Sequence, residues 1–281
     1  MTQRIHLGIS TCPNDTFAFH GLLTNRIDTE GLTFDIELMD VQELNDRLFA
    51  GDFDVAKASF HAALLLTDEL GVLPSGSALG FGVGPLLLSA KPGTHPTNSP
   101  NMRVLCPGRH TTATLLYRLF HPNEGRLDQT IFSDIMPALQ NGTADFGVCI
   151  HEGRFTWQEH GLGCVEDLGT VWEQATNTPL PLGGILARHR LGDDLLRRIQ
   201  RTIRSSLEYG LANRDQTLES MRKYAQEFSD DVLMQHVDLY VNDWTVELGD
   251  VGVRSLQALT DKAKEVGILD GAARSVEVVG S

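Results

Sequence analysis

The chain has 281 residues, of which 41% are hydrophobic and 21% charged, as is ordinary for a globular enzyme or binding protein. Its 37 Asp and Glu residues outnumber the 23 Lys and Arg residues, so the formal net charge at pH 7 is −14. This balance argues against nucleic acid or an anionic membrane surface as the main partner. The N-terminal residues lack an apolar signal core, and no aliphatic run is long enough to cross a bilayer. We therefore expect a cytoplasmic protein.

The first part of the chain alternates between strand and helix patterns. Residues 5–9 form a short apolar run, and residues 32–38 alternate apolar with less apolar side chains, as strands do. Apolar residues within 41–48 then recur at helical spacing, with a glycine stop signal just after them. Residues 53–60 predict a further strand, and residues 61–70 predict a helix after it.

A second series of the same kind follows a connector rich in Pro, Gly, Thr and Asn at residues 92–100. Residues 102–106 and 145–150 predict strands, and residues 111–120 predict a helix between them. From Asp193 onward the pattern is helical. We assign residues 1–92 and 188–281 to lobe 1, which includes the C-terminal helices, and residues 93–187 to lobe 2.

The two lobes also resemble each other in sequence. In both 47–56 and 138–147, the end of a helix is followed by Gly, two residues, Asp and a short buried strand. Alternating strands and helices predict the α/β class, with a mostly parallel sheet flanked by helices in each lobe. Ligands bind open parallel sheets beyond the carboxyl ends of the strands, so we expect a ligand cleft between the lobes.

Two loops offer polar groups at this predicted cleft. Asn14, Asp15 and Thr16 follow the first strand, where they either cap a helix or contact ligand hydroxyls. Thr111 and Thr112 open the helix of the second lobe, just after Pro-Gly. The unpaired N–H groups of a first helical turn can bind an anion, although a plain N-cap fits the same two threonines.

Two predicted strand ends carry further candidates. Lys57, Ala58 and Ser59 end a strand of the first lobe, where Lys57 meets either a ligand carboxylate or a neighbouring acidic side chain. Ser59 is a small hydrogen-bond donor. His151 directly follows the strand at 145–150, so a neutral imidazole at the cleft mouth could act as a general base. A bystander histidine is the alternative reading of the same position.

The sequence does not indicate a cofactor. The glycines within 80–84 lack the tail and the following helix of a dinucleotide site, and flexible backbone that enters a crossing strand explains them better. There is no Walker A sequence, no zinc-type spacing of His and Cys, and no nucleophile elbow around a serine. The four cysteines have no C-x-x-C spacing and predict reduced thiols.

Several ordered segments resemble one family, the 1,4-dihydroxy-6-naphthoate synthases of the futalosine route to menaquinone. These segments span nearly the whole chain and are STCPNDTFAFH at 10–20, VQELN at 41–45, KAS at 57–59, GFGVGPLLL at 80–88, PGRHTTA at 107–113, IHEGRFTW at 150–157 and PLPLGGILARHR at 179–190. The resemblance implies the type II periplasmic-binding-protein fold, which agrees with the two similar lobes. The departures are small: a bulkier aliphatic residue is expected at Ala58 and a serine at Gly153.

The resemblance also implies a reaction, the cleavage of cyclic dehypoxanthinyl futalosine to 1,4-dihydroxy-6-naphthoate with release of a sugar-derived fragment. By carry-over, His151 is the base, and substrate-binding positions fall on 57–59 and on Thr111 and Thr112. The anionic aromatic substrate would be the only small-molecule partner, without metal or organic cofactor. A noncatalytic binding protein and the chorismate dehydratase of the same pathway, which shares the fold, are the alternatives.

Overall fold

A computed structural model describes residues 3–151, 153–224 and 229–281. Within these residues the strands are β1 (Gln3–Ser10), β2 (Leu32–Met39), β3 (Val55–Ser59), β4 (Leu70–Val72), β5 (Ala78–Gly80), β6 (Leu86–Ser89), β7 (Arg103–Cys106), β8 (Arg126–Gln129), β9 (Phe146–Cys149), β10 (Gly163–Asp167) and β11 (Leu180–Arg188). The α-helices are α1 (Pro13–Ala18), α2 (His20–Leu23), α3 (Val41–Ala50), α4 (Phe60–Leu65), α5 (Thr112–Phe120), α6 (Ile135–Gln140), α7 (Gly153–Thr156), α8 (Leu168–Thr176), α9 (Asp193–Ala212), α10 (Arg214–Tyr224), α11 (Asp230–Tyr240), α12 (Asp243–Val246) and α13 (Gly249–Glu265). Two short 3-10 helices cover Phe132–Asp134 and His189–Leu191.

The strands form two sheets, which confirms the predicted α/β class. The first sheet has the order β2-β1-β3-β11-β4, and β5 also pairs with β11. The second has the order β10-β6-β9-β7-β8. Parallel ladders join β1 to β2 and β3, and β7 to β8 and β9. Strand direction is therefore mostly parallel, as predicted.

One strand in each sheet runs against the others. Strand β6 is antiparallel to β9 and β10, and β11 is antiparallel to β3, β4 and β5. Each of them is the strand on which the chain arrives from the other sheet. The glycines at 80–84 come just before β6, as expected for backbone that enters a crossing strand.

The chain passes from one sheet to the other at places that differ from the predicted lobe boundaries. Strand β6 lies before residue 92 but pairs within the second sheet, and β11 begins before residue 188 but pairs within the first. The breaker-rich connector at 92–100 therefore links β6 to β7 within one sheet. By sheet membership, the chain crosses between β5 and β6 and returns between β10 and β11.

The predicted sequence repeat has a structural counterpart. Asp54 accepts a hydrogen bond from the backbone N–H of His6 at 3.0 Å and donates its own N–H to the carbonyl of His6 at 3.1 Å. Asp145 makes the same two bonds with Arg103, at 2.8 and 3.0 Å. In each sheet, one aspartate thus aligns the strand that follows it with a parallel neighbour, β3 with β1 and β9 with β7.

The first sheet is covered on one face by the long helix α9. Leu7 and Ile9 of β1 are fully buried and belong to one apolar cluster with Ile199, Ile203 and Leu207. The three helix residues recur every four positions, so they lie on one side of α9. This packing fixes β1, and therefore the loop that follows it, relative to the C-terminal helices.

The aspartate pairing can be tested by substitution. We expect Asp145→Ala to lower the free energy of unfolding by about 1 kcal/mol, because the N–H of Arg103 loses its acceptor. Asp261→Ala is the control, since among the described residues the exposed Asp261 carboxylate accepts only from the side chain of Gln257. Urea denaturation would measure both, and equal stabilities of the two variants would contradict the alignment role of Asp145.

Candidate active site

A cavity of about 110 Å³ lies between the two sheets. Its wall is formed at the carboxyl ends of β1, β3 and β9, by the start of α5, and by residues of β11 and α11. This is the edge at which open parallel sheets bind ligands. Eight of the nine predicted site residues line the cavity: Asn14, Asp15, Lys57, Ala58, Ser59, Thr111, Thr112 and His151.

Thr16 is the ninth predicted residue, and the structure does not bring it to the cavity. Its side chain is fully buried, and its hydroxyl donates to the carbonyls of Cys12 at 3.2 Å and Pro13 at 3.3 Å. A threonine in the first turn of a helix often bonds backward in this way. Thr16 therefore belongs to helix α1 and not to the cavity wall.

Lys57 and Asp15 form a buried ion pair at the cavity. Lys57 Nζ lies 2.8 Å from Asp15 Oδ1, and both side chains are at most 7% exposed. Lys57 also donates to the carbonyl of Gly76 at 3.1 Å, while Asp15 accepts from Ser10 Oγ at 2.5 Å and Asn14 Nδ2 at 3.0 Å. Between the two sequence readings of Lys57, the structure shows the pairing with a neighbouring acid.

Thr111 and Thr112 hold the start of helix α5. Thr111 caps the helix by accepting from the N–H of Thr114 at 3.2 Å, and Thr112 donates its hydroxyl to the carbonyl of Leu182 at 2.6 Å. The backbone N–H groups of Thr112 and Ala113 have no acceptor among the described residues. Both residues line the cavity, so these two N–H groups and the helix dipole are available to an anion.

His61 also holds the start of helix α5. Its Nδ1 lies 3.1 Å from the carbonyl of Thr111, so Nδ1 carries the proton and donates it. Burial lowers the pKa of His61 to about 4, which keeps the imidazole neutral. The side chain thus acts as a fixed donor near neutral pH.

Ser59 is held by an amide beside it. Its N–H donates to Asn45 Oδ1 at 3.0 Å, and Asn45 Nδ2 donates back to Ser59 Oγ at 3.1 Å. Because Asn45 Nδ2 supplies a proton to the hydroxyl oxygen, the hydroxyl proton of Ser59 is directed elsewhere. Ser59 lines the cavity, so it can donate to a ligand there.

His151 follows β9 and Ile150, as the sequence predicted, and is half-buried at the cavity. Its φ of 54° lies in the left-handed region, which a non-glycine residue adopts at a cost of about 1 kcal/mol. Both ring nitrogens lie 3.6 Å from Cys12 Sγ, and the ring of Phe132 packs against the imidazole in a T-shaped arrangement, with the two centroids 4.9 Å apart. Backbone strain of this kind is concentrated at functional sites.

His236 was not predicted as a site residue, yet it lies beside His151. The two rings are stacked with centroids 6.2 Å apart, and His236 Nε2 lies 3.1 Å from Asn14 Oδ1. Asn14 Nδ2 donates to Asp15, so the amide oxygen of Asn14 faces His236, and His236 donates to it through Nε2. Burial, and the proximity of His151, lower the pKa of His236 to about 3.

Cys12 and His236 show what the sequence reading missed. For Cys12, the sequence predicts only a reduced thiol. In the structure Cys12 is a free cysteine, and so are the other three cysteines. His236 lies on the buried side of α11 with Leu233, Val237 and Tyr240, so its spacing is that of a core position. The only sign in the sequence that His236 could be a site residue was a polar side chain among the buried apolar positions of that helix.

The geometry defines a class: an α/β protein of the periplasmic-binding-protein type, with a ligand cavity between two related sheets. Protein AF1704 of Archaeoglobus fulgidus has this fold with a TM-score of 0.88 and 28% identity, over 95% of this chain and 98% of that one. The ligand-binding component of an ABC-type import system from Staphylococcus aureus matches with a TM-score of 0.71 and 17% identity, over 98% and 96% of the two chains.

The sequence defines the family more closely. A family model described as menaquinone biosynthesis matches residues 5–265. A Thermus thermophilus protein named 1,4-dihydroxy-6-naphtoate synthase is 40% identical over 270 residues, covering 95% of this chain and 96% of the relative. A Streptomyces coelicolor protein of the same name is 34% identical over 270 residues, covering 94% of each chain. The chain belongs to this family of menaquinone-biosynthesis enzymes.

Two further features of the structure concern metals and membranes. Among residues 3–151, 153–224 and 229–281, no three His, Cys, Asp or Glu side chains are grouped so that they could hold a metal ion. Within the same described residues, none of the helices combines the length and apolar character that crossing a membrane requires.

The two buried histidines predict a pH dependence of stability. In the unfolded chain a histidine binds a proton below about pH 6.5, whereas His61 and His236 stay neutral in the folded state down to about 4 and about 3. The contribution of the two neutral histidines to the free energy of unfolding is therefore complete above about pH 6.5 and is lost as the pH falls. Each adds up to about 1.4 kcal/mol per pH unit to the slope.

Urea unfolding between about pH 7 and pH 5 measures this slope. We expect His61→Asn, which keeps a donor near Thr111, to have a shallower slope than the unmodified protein. His160→Asn changes an exposed histidine and should leave the slope unchanged. Identical slopes for all three proteins would contradict a neutral, buried His61.

Proposed function

We propose that the protein cleaves cyclic dehypoxanthinyl futalosine to 1,4-dihydroxy-6-naphthoate and a sugar-derived fragment, and that it does so in the cytoplasm. The observation that carries this proposal is the position of His151, which lies on the same cavity as the open N-terminus of α5. Two relatives that match almost the whole chain carry the name of this activity, which supports the assignment.

The carboxylate of the substrate would bind at the start of α5. The N–H groups of Thr112 and Ala113 supply two donors, and the helix dipole favours a negative charge there. The cavity wall otherwise offers a compensated ion pair, since Lys57 is neutralised by Asp15. A local anion site of this kind is needed because the chain as a whole carries a formal charge of −14.

The ion pair would also contact the substrate directly. An ammonium group has three protons, and Lys57 gives two of them to Asp15 and Gly76. The third is available to an oxygen in the cavity, and Ser59 adds a hydroxyl beside it. Ala58, between them in β3, also lines the cavity. Together they would orient the oxygen-rich ring of the substrate.

His151 would start the reaction as a general base. It removes a proton from a ring carbon of the substrate, and the electron pair of that C–H bond forms a new double bond in the ring. The carbon–carbon bond to the sugar-derived fragment then breaks, and its electron pair leaves with that fragment. The proton held by His151 can neutralise the departing fragment, so atoms and charges balance without a co-reactant. Formation of the aromatic ring drives the step forward.

The proposal is tested by incubating the purified protein with cyclic dehypoxanthinyl futalosine and detecting the naphthoate by mass. A noncatalytic binding protein would return the substrate unchanged. A chorismate dehydratase on the same fold would instead convert chorismate, so chorismate belongs in a parallel incubation. Formation of the naphthoate only from the cyclic substrate supports the proposal, and its absence would overturn it.

The base assignment is tested by His151→Ala. General base catalysis contributes about 100-fold or more to the rate, so we expect kcat to fall at least that far. Binding of the naphthoate product should persist, because the start of α5 is unchanged. His160→Ala is the matched control, since it removes an exposed imidazole from the same part of the chain. Near-normal turnover by His151→Ala would remove His151 from the mechanism.

The carboxylate site is tested on the ligand side. We expect 1,4-dihydroxynaphthalene, which lacks the carboxylate, to bind at least about 30-fold more weakly than 1,4-dihydroxy-6-naphthoate. Isothermal titration calorimetry measures both affinities under conditions that protect the ligands from oxidation. Equal affinities would show that the open N–H groups of α5 do not bind the acid.

A further inference from the structure

A second cavity of about 250 Å³ adjoins the first. Three side chains line both cavities and therefore form the wall between them: Cys12, His151 and His236. We call the first cavity the inner compartment, because residues such as Lys57 and Thr112 in its wall are at most 5% exposed. The second is the outer compartment, and the residues that line it alone include Thr11, Ile131, Phe132, Ser133, Phe155 and Leu233.

The outer compartment lies at the same sheet edges as the inner one. Thr11 follows β1, and Ile131 to Ser133 come shortly after β8, so its wall also combines both sheets. Ile131 is 64% exposed and Phe155 is 39% exposed, although both are large apolar residues. Exposed apolar side chains that border a cavity commonly mark a place where a ligand or partner binds.

The chemistry of the outer compartment is mixed. Phe132 lies edge-on to His151 and supplies an apolar surface. The hydroxyls of Thr11 and Ser133 have no hydrogen-bond partner within the described part of the chain. Asp40 also lines the compartment, and its Oδ1 accepts from the N–H of Gln42 at 2.7 Å. A few hydroxyls beside an aromatic face suit a small neutral polyol, whose C–H groups pack on the ring and whose hydroxyls bond to the two side chains.

We propose that the outer compartment binds the sugar-derived fragment of the substrate and holds it while the carbon–carbon bond breaks. This rests on the proposed function, which places the aromatic acid in the inner compartment and the base at His151. A base that acts at the junction between the two parts of the substrate must lie between their binding sites. His151 lies on the wall shared by the two compartments, which meets that requirement.

The arrangement also separates the two products. The naphthoate would stay on the buried side with its carboxylate at α5, whereas the fragment would leave past the exposed residues Ile131 and Phe155.

The test fills the outer compartment and leaves the inner one intact. In Ser133→Trp an indole replaces an exposed serine at the outer wall, so the fold should tolerate the change. Asp134→Trp is the matched control, because it adds the same indole at the next exposed position, which lines neither cavity. We expect kcat/KM for the cyclic substrate to fall at least about tenfold in Ser133→Trp and less than about twofold in the control.

The affinity for 1,4-dihydroxy-6-naphthoate is measured on the same proteins. It should change by less than about twofold in Ser133→Trp, because the aromatic acid does not enter the outer compartment. Loss of naphthoate binding would overturn the proposal, since the acid would then occupy the outer side. Unchanged kcat/KM in Ser133→Trp would also overturn it while leaving the proposed function intact. An unmodified protein that makes no naphthoate would overturn both.

The two hydroxyls provide a second, gentler test. We expect the double variant Thr11→Val and Ser133→Ala to raise KM for the cyclic substrate about fivefold or more, with naphthoate affinity unchanged. Thr156→Val, in α7 and off both cavities, serves as the control for loss of a hydroxyl in this region. Kinetics of the double variant that match those of the control would contradict binding of the fragment by Thr11 and Ser133.

Discussion

The buried ion pair between Lys57 and Asp15 is the interaction on which the site depends. A buried charge is costly unless it is paired and hydrogen-bonded, and here each partner has further bonds to the chain. The pair ties the end of β3 to the first turn of α1. Through Asn14 it reaches His236, so a single polar network connects the first sheet, the loop after β1 and a C-terminal helix. Removal of either charge would leave the other buried and uncompensated.

In the proposed mechanism, the same network lets His151 act as the base while a second imidazole lies beside it. Two stacked histidines cannot both carry a proton at low cost. His236 is the more deeply buried, and its pKa is lowered to about 3, so it remains neutral whenever His151 takes up a proton. Its Nε2 proton is committed to Asn14. His236 thus supports His151 as a fixed, uncharged neighbour and does not compete for the proton.

The residues predicted at strand ends line the cavity, whereas His236, which reaches it from a helix, was not predicted there. Lys57 and His151 end strands of different sheets, and both were predicted at the cavity because ligands bind beyond the carboxyl ends of the strands in each sheet. The chain reversal at β6 and β11 could not be seen, because an apolar run has no direction. Helix 61–70 was also predicted too long: α4 ends at Leu65, and Leu70 begins a strand that pairs with Arg188. Tertiary pairing overrode the local helical pattern there.

The least predictable feature is that His151, the proposed base, lines two cavities. His236 arrives from a helix more than two hundred positions along the chain from Asn14, and its helical spacing is indistinguishable from that of a core residue. Cys12 and His151 come from different sheets, and only their 3.6 Å contact shows that they share a wall. In a fold built from two related halves, each half supplies a strand-end loop to the gap. The dividing wall therefore forms where the loops after β1 and β9 meet. His236 of α11 is its third residue.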